Sequence, residues 1–429
     1  MVLKPLTVSD LYNLALLCRR LHVVALSLYF KKREVYMCSD AVDISPIHDA
    51  LDMAAVGLAL FIRRLNHLEC VVSVNNTLQT RRLNRLILRM SAVSTVHFRL
   101  FGYGLDLFRT NPLSTLLKAL ENKKCRSLSV SGDIRNTFTK RPNATVPPIV
   151  TLTSFKITNP VLLRPRWLKW TVESLQCSPL TCLDVTGCTV DLANALPSFT
   201  LPHLSQLRLE CVNLPVSVLD PFLSRHPTIR TLKILSLQQD APIKTKLFPS
   251  LTLLHGETVS LTHLLAKPMS FPRLKSIHVS DLMYHNSASI AKFLENVTRT
   301  PASYLATHFV VPDDRYLRPW LRSFRRLRRR NSAPINLAQI TAIQLSYTCK
   351  HPNLRVDLPL WLSLFPELNT LDLDPATFRR TRDEEKLAIV EHLSIECPQL
   401  QIVTYNGIGG TLEDWRSEKQ RHITPPPME

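Results

Sequence analysis

Glycine is scarce in this sequence, with 9 residues among 429, whereas proline occurs 30 times. Glycine-rich loops that cradle phosphates are therefore not expected, and frequent regular turns are favoured. The ten cysteines form no Cys-x-x-Cys pair, so the spacing of a zinc site is missing. Nucleophile-elbow, phosphate-loop, zinc-protease and kinase motifs are absent too. We therefore expect neither an enzyme nor a cofactor.

Long apolar runs are also missing. Because no uninterrupted stretch of about 18 apolar residues occurs, we expect no membrane-spanning helix and no membrane partner. Residues 1–30 carry charges within every apolar run and lack the cleavage site of a secretory signal. Together with the scattered cysteines, these absences predict reduced thiols and a location in the cytosol, the nucleus or both.

Basic residues outnumber acidic residues in this sequence. Lys+Arg is 53 and Asp+Glu is 34, which gives a net charge of +19 and favours acidic partners. Part of the excess lies in RYLRPWLRSFRRLRRR (315–330), which contains no acid. Three interpretations stay open for this segment: a solvated basic face, a docking patch for an acidic partner, or a nuclear-import or RNA contact. The candidate patch consists of Arg322, Arg325, Arg326 and Arg329. Base-stacking aromatic patterns are not recognisable, so nucleic acid is not the expected partner.

One short phrase recurs along the chain. LPHLSQLRLE (201–210), PTIRTLKI (227–234) and PRLKSIHV (272–279) each place an apolar residue, two others, an apolar residue, one other and a further apolar residue. Successive copies that begin at 180, 204, 229, 251 and 274 are separated by 24, 25, 22 and 23 residues. Looser copies begin at Leu68, Val93, Cys125, Leu152, Ile340, Leu368 and Leu400. The long interval after Leu274 predicts one divergent copy near residues 304–309.

The repeated phrase predicts an α/β solenoid. Alternating apolar residues form a short strand with one buried face, and such strands bury that face by stacking. Helical spacing occurs between the strands, for example in 111–124, 287–297 and 383–396. We therefore expect parallel strands on a concave face, with helices outside. The alternative is an ordinary α/β domain with coincidental proline–leucine spacing.

Over about residues 65–406 the chain resembles the leucine-rich-repeat superfamily. The asparagine that usually closes the repeat turn is mostly absent, and Cys188 comes nearest to replacing it. This irregularity is similar to the repeats of F-box proteins. DLYNLALLCRRLHVVALSLYF (10–30) resembles the second half of an F-box, in which a Cys-Arg-Arg-Leu phrase leads into Ala-Leu-x-Leu-Tyr. The first F-box helix is not recognisable, and only Pro5 and Leu6 correspond to it. The sequence thus resembles fungal-type F-box/leucine-rich-repeat proteins with a truncated F-box.

This resemblance implies a substrate receptor of a cullin–RING ubiquitin ligase, which holds a Skp-family adaptor and a target protein. The residues implied in adaptor binding are Leu11, Leu14, Leu17 and Leu21. Two alternatives stay open. The N-terminal segment could serve only as a cap on the first repeat, which solenoids need in any case. The whole chain could instead be a scaffold unrelated to ubiquitin, whose basic surface binds acidic protein or RNA.

The predicted organisation has four parts. Residues 1–35 form the F-box-like segment or cap, residues 36–66 a helical connection, residues 67–410 the repeat solenoid, and residues 411–429 a tail. Side chains between the buried strand positions face the concave side, where we expect the target to bind. The proposed target contacts are His97, Arg99, Lys156, Arg208, Lys233 and His278. Bases outnumber acids in that part of the face, which predicts an acidic segment in the target.

Overall fold

A computed structural model of the protein describes residues 6–17, 19–33, 35–38, 41–47, 50–73, 77–101, 112–133, 146–158, 160–188, 190–238, 248–266, 271–280, 287–300, 305–311, 337–347, 358–359, 361–363, 365–373, 383–405, 408–411 and 414. The chain divides into two compact units, Met1–Leu209 and Glu210–Glu429. Among the residues described, the helices are all too short or too polar to cross a membrane.

The first unit combines a sheet with helices that follow its strands. The strands, in chain order, are β1 (Tyr36–Cys38), β2 (Ala41–Ile47), β3 (Arg64–Ser73), β4 (Ala92–Phe101), β5 (Ser127–Asp133), β6 (Ser154–Ile157) and β7 (Cys182–Cys188). β8 (Gln206–Pro215) contains the boundary between the units. The helices are α1 (Val8–Leu17), α2 (Arg19–Lys32), α3 (Ala50–Leu58), α4 (Thr77–Arg89), α5 (Pro112–Glu121), α6 (Pro165–Cys177) and α7 (Val190–Ala195), with 3-10 turns at Pro160–Leu163 and Leu196–Ser198. β1 pairs with β2 in antiparallel orientation, and β2 to β7 pair in parallel.

The second unit has the same construction. Its strands after β8 are β9 (Thr231–Gln238), β10 (Leu253–Gly256), β11 (Ser276–Val279), β12 (Leu305–Val311), β13 (Ile340–Tyr347), β14 (Thr370–Leu373), β15 (Ile402–Tyr405) and β16 (Ile408–Thr411). Its helices are α8 (Val216–Arg225), α9 (Thr258–Leu264), α10 (Ser287–Thr298) and α11 (Asp383–Glu396). β9 to β15 pair in parallel, and β16 turns back antiparallel to β15.

The repeated phrase explains this order, because its apolar residues are the core. Every residue predicted to begin a copy, from Leu68 to Leu400, is buried. The next apolar position forms a row that crosses the sheet strand by strand. In the first unit Leu128, Phe155 and Leu183 are in register, and in the second unit Leu232, Leu254 and Ile277 are. All six are buried.

Hydroxyl groups tie successive copies together at the turn before each strand. Thr181 Oγ1 donates to the Thr153 carbonyl at 2.9 Å, and Ser205 Oγ donates to the Thr181 carbonyl at 3.1 Å. Thr252 Oγ1 makes the same bond to the Arg230 carbonyl at 3.1 Å. The backbone N–H of each of these residues bonds to the same carbonyl. The turn is therefore held by Ser or Thr in these copies rather than by asparagine.

Two expectations about the repeats can be compared with the strands. The divergent copy near residues 304–309 is present as β12, which pairs with both β11 and β13. The connection over 36–66, expected to be helical, instead holds β1 and β2 beside α3. β2 pairs with β3 and extends the parallel sheet by one strand. Most of its pairing partner β3 lies beyond the connection in sequence, so the residues of 36–66 alone did not reveal it.

The backbone at the end of β5 requires glycine at position 132. Its φ angle is 123°, a region that side-chain-bearing residues rarely adopt. A Cβ atom at this position would also collide with the backbone carbonyl of Leu100 on β4. Glycine therefore lets the two strands stay paired up to this point.

Candidate functional site

The sheet face turned away from the helices, called the open face below, carries the predicted target residues. In each strand these side chains alternate with the buried core residues. α4 packs against β3, and α9 packs against β9 and β10. Among the residues described, most side chains on the other face of these strands keep some exposure. The polar residues His97, Lys156, Lys233 and His278 accordingly lie between buried neighbours in their strands and are half-buried or more exposed.

In the first unit, the bases of the open face are paired with buried acids. The Arg99 Nη2 atom lies 2.6 Å from Oε1 of Glu69, and His97 Nδ1 lies 3.6 Å from the same oxygen. Asp184 is shared by two bases, with Lys156 Nζ at 3.5 Å from Oδ2 and Arg208 Nε at 3.5 Å from Oδ1. Both acids are buried, Glu69 being 8% and Asp184 9% exposed.

His97 is held by a second contact. Its Nε2 atom lies 2.8 Å from the Ser131 hydroxyl on β5. Burial lowers the pKa of His97, although the nearby Glu69 carboxylate opposes this effect. The neutral imidazole is therefore favoured here, and His97 acts as a hydrogen-bonding group more than as a cation.

The second unit repeats this pattern once and then departs from it. Lys233 Nζ lies 2.8 Å from Glu210 Oε1, and both side chains are largely buried. Beyond this pair, His255, His278 and His308 lie side by side on β10, β11 and β12. Sequence reasoning selected only His278 of these three as a target contact.

These pairs alter the predicted charge of the open face. The four fixed cations that were proposed as target contacts, Arg99, Lys156, Arg208 and Lys233, each lie beside a carboxylate of the same unit. Sequence reasoning missed Glu69 because the copy HLECVVSV fits the phrase loosely. The available signal was that Glu69 stands between Leu68 and Cys70, which are both buried. The open face therefore presents paired charges, and the expected excess of bases is offset by these acids.

The N-terminal segment forms two helices, α1 and α2. The four predicted adaptor contacts differ in their exposure. Leu11 is buried and Leu14 is half-buried, whereas Leu17 and Leu21 are exposed. Leu21, Val24 and Leu28 are 44%, 57% and 46% exposed. They follow helical spacing on one side of α2 and are called the apolar ridge below.

The opposite side of α2 fastens the segment to the first repeats. Ala25, Leu26, Tyr29 and Phe30 are buried. The Tyr29 hydroxyl donates to Asp52 Oδ1 at 2.6 Å. Arg33 donates to both oxygens of the same carboxylate, at 2.8 Å from Nε and 2.5 Å from Nη2.

His22 adds a link between three helices. Its Nδ1 atom lies 2.9 Å from the carbonyl of Ala15 in α1, and its Nε2 atom lies 3.1 Å from the carbonyl of Leu58 in α3. α1 and α2 are thus anchored on α3 by polar contacts as well as by apolar packing. The segment covers part of the first unit and still presents the apolar ridge outward.

Two predicted features fall outside the residues that the structure describes. The arginine segment 315–330, with Arg322, Arg325, Arg326 and Arg329, is one of them. Residues 415–429 of the predicted tail are the other. Within the described ranges, clusters of His, Cys, Asp and Glu suited to holding a metal ion are not found.

The chain is similar to one protein family over part of its length. Residues 155–246 match the family model described as "FBD-associated F-box protein At5g56370, LRR repeats". Among solved structures, the leucine-rich-repeat-containing protein LegL7 from Legionella pneumophila is 15% identical with a TM-score of 0.35, over 90% of this chain and 100% of that chain. TLR13 in its complex with ssRNA13 is 11% identical with a TM-score of 0.31, over 81% of this chain and 50% of that chain. No curated protein matches the sequence.

Parallel strands that carry the copies of the phrase, with helices following them, define an α/β leucine-rich-repeat protein. This confirms the fold class predicted from the sequence. The family match confirms the likeness to F-box/leucine-rich-repeat proteins. It includes three of the five evenly spaced copies, those that begin at 180, 204 and 229.

Proposed function

We propose that the protein is the substrate receptor of a cullin–RING ubiquitin ligase of the F-box type. In this role α1 and α2 hold the Skp-family adaptor, and the open face of the repeats holds the target. The protein binds and positions its partners without catalysing a reaction itself. It acts in the cytosol, the nucleus or both. The observation that carries the proposal is the apolar ridge on a helix that is anchored to the first repeats.

The apolar ridge has the properties of a docking surface. Three large aliphatic side chains in a row remain in water, although the buried side of the same helix is well packed. Leu16 and Leu17 at the end of α1 are exposed as well. Burying such side chains contributes roughly 1.5–3 kcal/mol each when a partner covers them completely. A cap would need only the buried side of α2, so the exposed ridge favours a further partner.

The anchoring makes the ridge suitable for a receptor. Asp52, Tyr29 and Arg33 fix α2 against α3, so an adaptor bound to the ridge would be held in a defined orientation to the first unit. A ubiquitin ligase needs this property, because the target must be presented in a fixed direction. The match of residues 155–246 to repeats of an F-box protein supports the same proposal.

The test is a pull-down of the Skp-family adaptor with the full chain. We expect the wild-type chain to retain the adaptor and the double variant Leu21→Asp/Leu28→Asp to lose it, because carboxylates on the ridge oppose apolar burial. The matched control is Leu78→Asp/Leu88→Asp, which changes two leucines of similar exposure on α4.

Two outcomes would contradict the proposal. Adaptor binding that survives in the ridge variant would place the contact elsewhere. A wild-type chain that does not retain the adaptor would favour the scaffold unrelated to ubiquitin. Far-UV circular dichroism of each variant shows whether its helices are intact.

A further inference from the structure

The open face of the second unit carries a row of three histidines. His255 and His278 are in register on β10 and β11, and their ring centroids are 5.6 Å apart. His278 and His308 are in register on β11 and β12, with centroids 5.1 Å apart and rings nearly perpendicular. All three side chains are half-buried. We call this row the histidine ladder.

Charged groups stand on both sides of the ladder. On β9, Lys233 is in register with His255 and pairs with Glu210 at 2.8 Å. Glu257 follows β10 and accepts a hydrogen bond from the Ser236 hydroxyl at 3.2 Å. Across β13, Asp372 on β14 accepts a 2.5 Å hydrogen bond from the Thr404 hydroxyl.

The residue between the ladder and Asp372 is uncharged. Gln344 on β13 is in register with His308 on one side and with Asp372 on the other. The nearest carboxylates described around the ladder therefore already have partners within the unit. A carboxylate that compensates protonated ladder histidines is best supplied from outside.

Small side chains lie two residues before the histidines on two of the three ladder strands. Ser276 on β11 and Ala306 on β12 are in register, and Ala342 continues this row on β13, whereas Leu253 stands at the same position on β10. The small side chains do not reach as far from the sheet as the imidazoles do. An extended peptide therefore has room to lie across β11 to β13, beside the rings of His278 and His308.

The short distances between the three imidazole rings affect their protonation. Burial lowers the pKa of His278, and neighbouring imidazoles repel each other once they are protonated. His278, at the centre of the unbound ladder, therefore resists protonation near neutral pH. A carboxylate brought against the rings reverses this preference, because an opposite charge nearby favours the protonated form.

We propose that the histidine ladder is the docking strip for an acidic peptide segment of the target, and that this segment binds with uptake of protons. The inference rests on the proposed function, since it specifies which part of the open face holds the target and how. Affinity is low when the rings are neutral and rises as the pH falls toward the range in which imidazoles protonate. A receptor built in this way retains its target more strongly under mild acidification.

The experiment measures binding of a fluorescent deca-glutamate peptide to the full chain by anisotropy, at fixed ionic strength. Between pH 7.5 and 5.5 the peptide stays largely ionised, since free glutamate has a pKa of about 4.3. We expect the wild-type affinity to rise about tenfold or more over this range. Arginine side chains do not change their protonation between pH 7.5 and 5.5, so the rise in affinity reports on histidines.

Three variants assign the effect to the ladder. His255→Gln/His278→Gln/His308→Gln should remove most of the rise, and His278→Gln alone should reduce it even if the triple variant folds poorly. His203→Gln is the matched control, because His203 is exposed and lies in the first unit. We expect this control to keep the wild-type pH dependence.

The proposal is overturned by any of three results. The first is a wild-type affinity that does not change with pH, and the second is an undiminished rise in the ladder variants. The third is stoichiometric Zn²⁺ binding by calorimetry that the triple variant loses, which would make the ladder a metal site. The adaptor pull-down uses the apolar ridge and not these residues, so failure of one experiment leaves the other interpretable.

Discussion

The guanidinium of Arg99 on β4 lies 2.6 Å from a carboxylate oxygen of Glu69 on the neighbouring strand β3, and the glutamate is buried. About half of the Arg99 side chain remains in water, so the pair is weaker than a fully buried one. Removing the arginine still leaves a buried carboxylate without its nearest cation. We expect Arg99→Met to lower the free energy of unfolding by about 1–2 kcal/mol in urea titration.

A double-mutant cycle with Glu69→Gln checks the origin of this loss. The double variant should lose less stability than the two single losses combined, because the neutral amide no longer needs a cation. Arg126→Met is the control, since Arg126 is exposed in the same unit and should cost little. Additive losses would show that Arg99 and Glu69 are not coupled.

Thr307 interrupts the apolar row of the second unit. It lies in register between Ile277 and Ile343, is 2% exposed, and its hydroxyl has no hydrogen-bond partner among the described residues. Replacing a buried hydroxyl of this kind by a methyl group removes a desolvation cost. We expect Thr307→Val to raise the free energy of unfolding by about 1–2 kcal/mol.

The control for this variant is Thr171→Val. Thr171 is also buried, but its hydroxyl donates to the Leu162 carbonyl at 2.7 Å. This substitution should therefore destabilise the protein. Equal effects at both positions would contradict the assignment of an unsatisfied hydroxyl to Thr307.

Leu254 is central in the row that Thr307 interrupts. It is fully buried on β10, between Leu232 and Ile277. Leu254→Ala should lower the free energy of unfolding by about 2–5 kcal/mol, through lost burial and the cavity that remains. Leu78→Ala, at an exposed position of α4, should change it little. A loss at Leu254 no greater than at Leu78 would mean that the row is not part of the core.

Substitution of glycine by alanine should have opposite effects on stability at positions 132 and 57. Gly132→Ala introduces a Cβ at a φ of 123° and against the Leu100 carbonyl, so we expect a loss of about 1–3 kcal/mol. Gly57 lies within α3, and a Cβ there meets no atom within 4 Å. Gly57→Ala should stabilise the helix by up to about 1 kcal/mol. Thermal unfolding of both variants provides the comparison, and a harmless Gly132→Ala would contradict the strained conformation.

His226 makes stability depend on pH. It is buried at the end of α8, where its Nδ1 atom lies 2.6 Å from the Phe222 carbonyl and its ring packs on Phe222 at 4.1 Å. Burial lowers the pKa of this imidazole in the folded state, and the same cause acts on His263 and His278. The unfolded chain therefore binds more protons as the pH falls through about 6.5, and stability decreases in that window.

The variant His226→Gln keeps a hydrogen-bond donor and removes the titrating group. Its unfolding free energy should differ less between pH 7.5 and 5.5 than that of the wild type. His203→Gln changes an exposed histidine and should leave the wild-type difference intact. If the two variants show the same pH dependence, His226 does not contribute to it.

The fold was predictable because the signal for each strand is local. Apolar alternation is present in each copy, and a proline precedes it in copies such as those of Leu183 and Leu254. These two residues could therefore be assigned to the core without knowledge of their neighbours. Even the contact of Lys156 with Asp184 follows from aligning two copies, since both residues stand at the same position of the phrase.

The remaining features depend on information that the phrase does not contain. Arg99 is in register with Val71, and it reaches Glu69 diagonally, so alignment of the copies does not pair them. The division of residues 10–30 into α1 and α2 has no proline or glycine to mark it. The exposed apolar ridge therefore became visible only once the buried side of α2 was known.

The antiparallel strands β1 and β16 have a consequence for association between molecules. An edge strand offers free backbone donors and acceptors on which another chain can add, and long flat edges promote aggregation. β1 has three residues and β16 has four, and each reverses the direction of the parallel strands that it joins. A further chain could pair there only over a short length and in a different direction from the repeats. The two terminal strands thus discourage end-to-end polymerisation, to which a regular array of identical parallel strands would be prone.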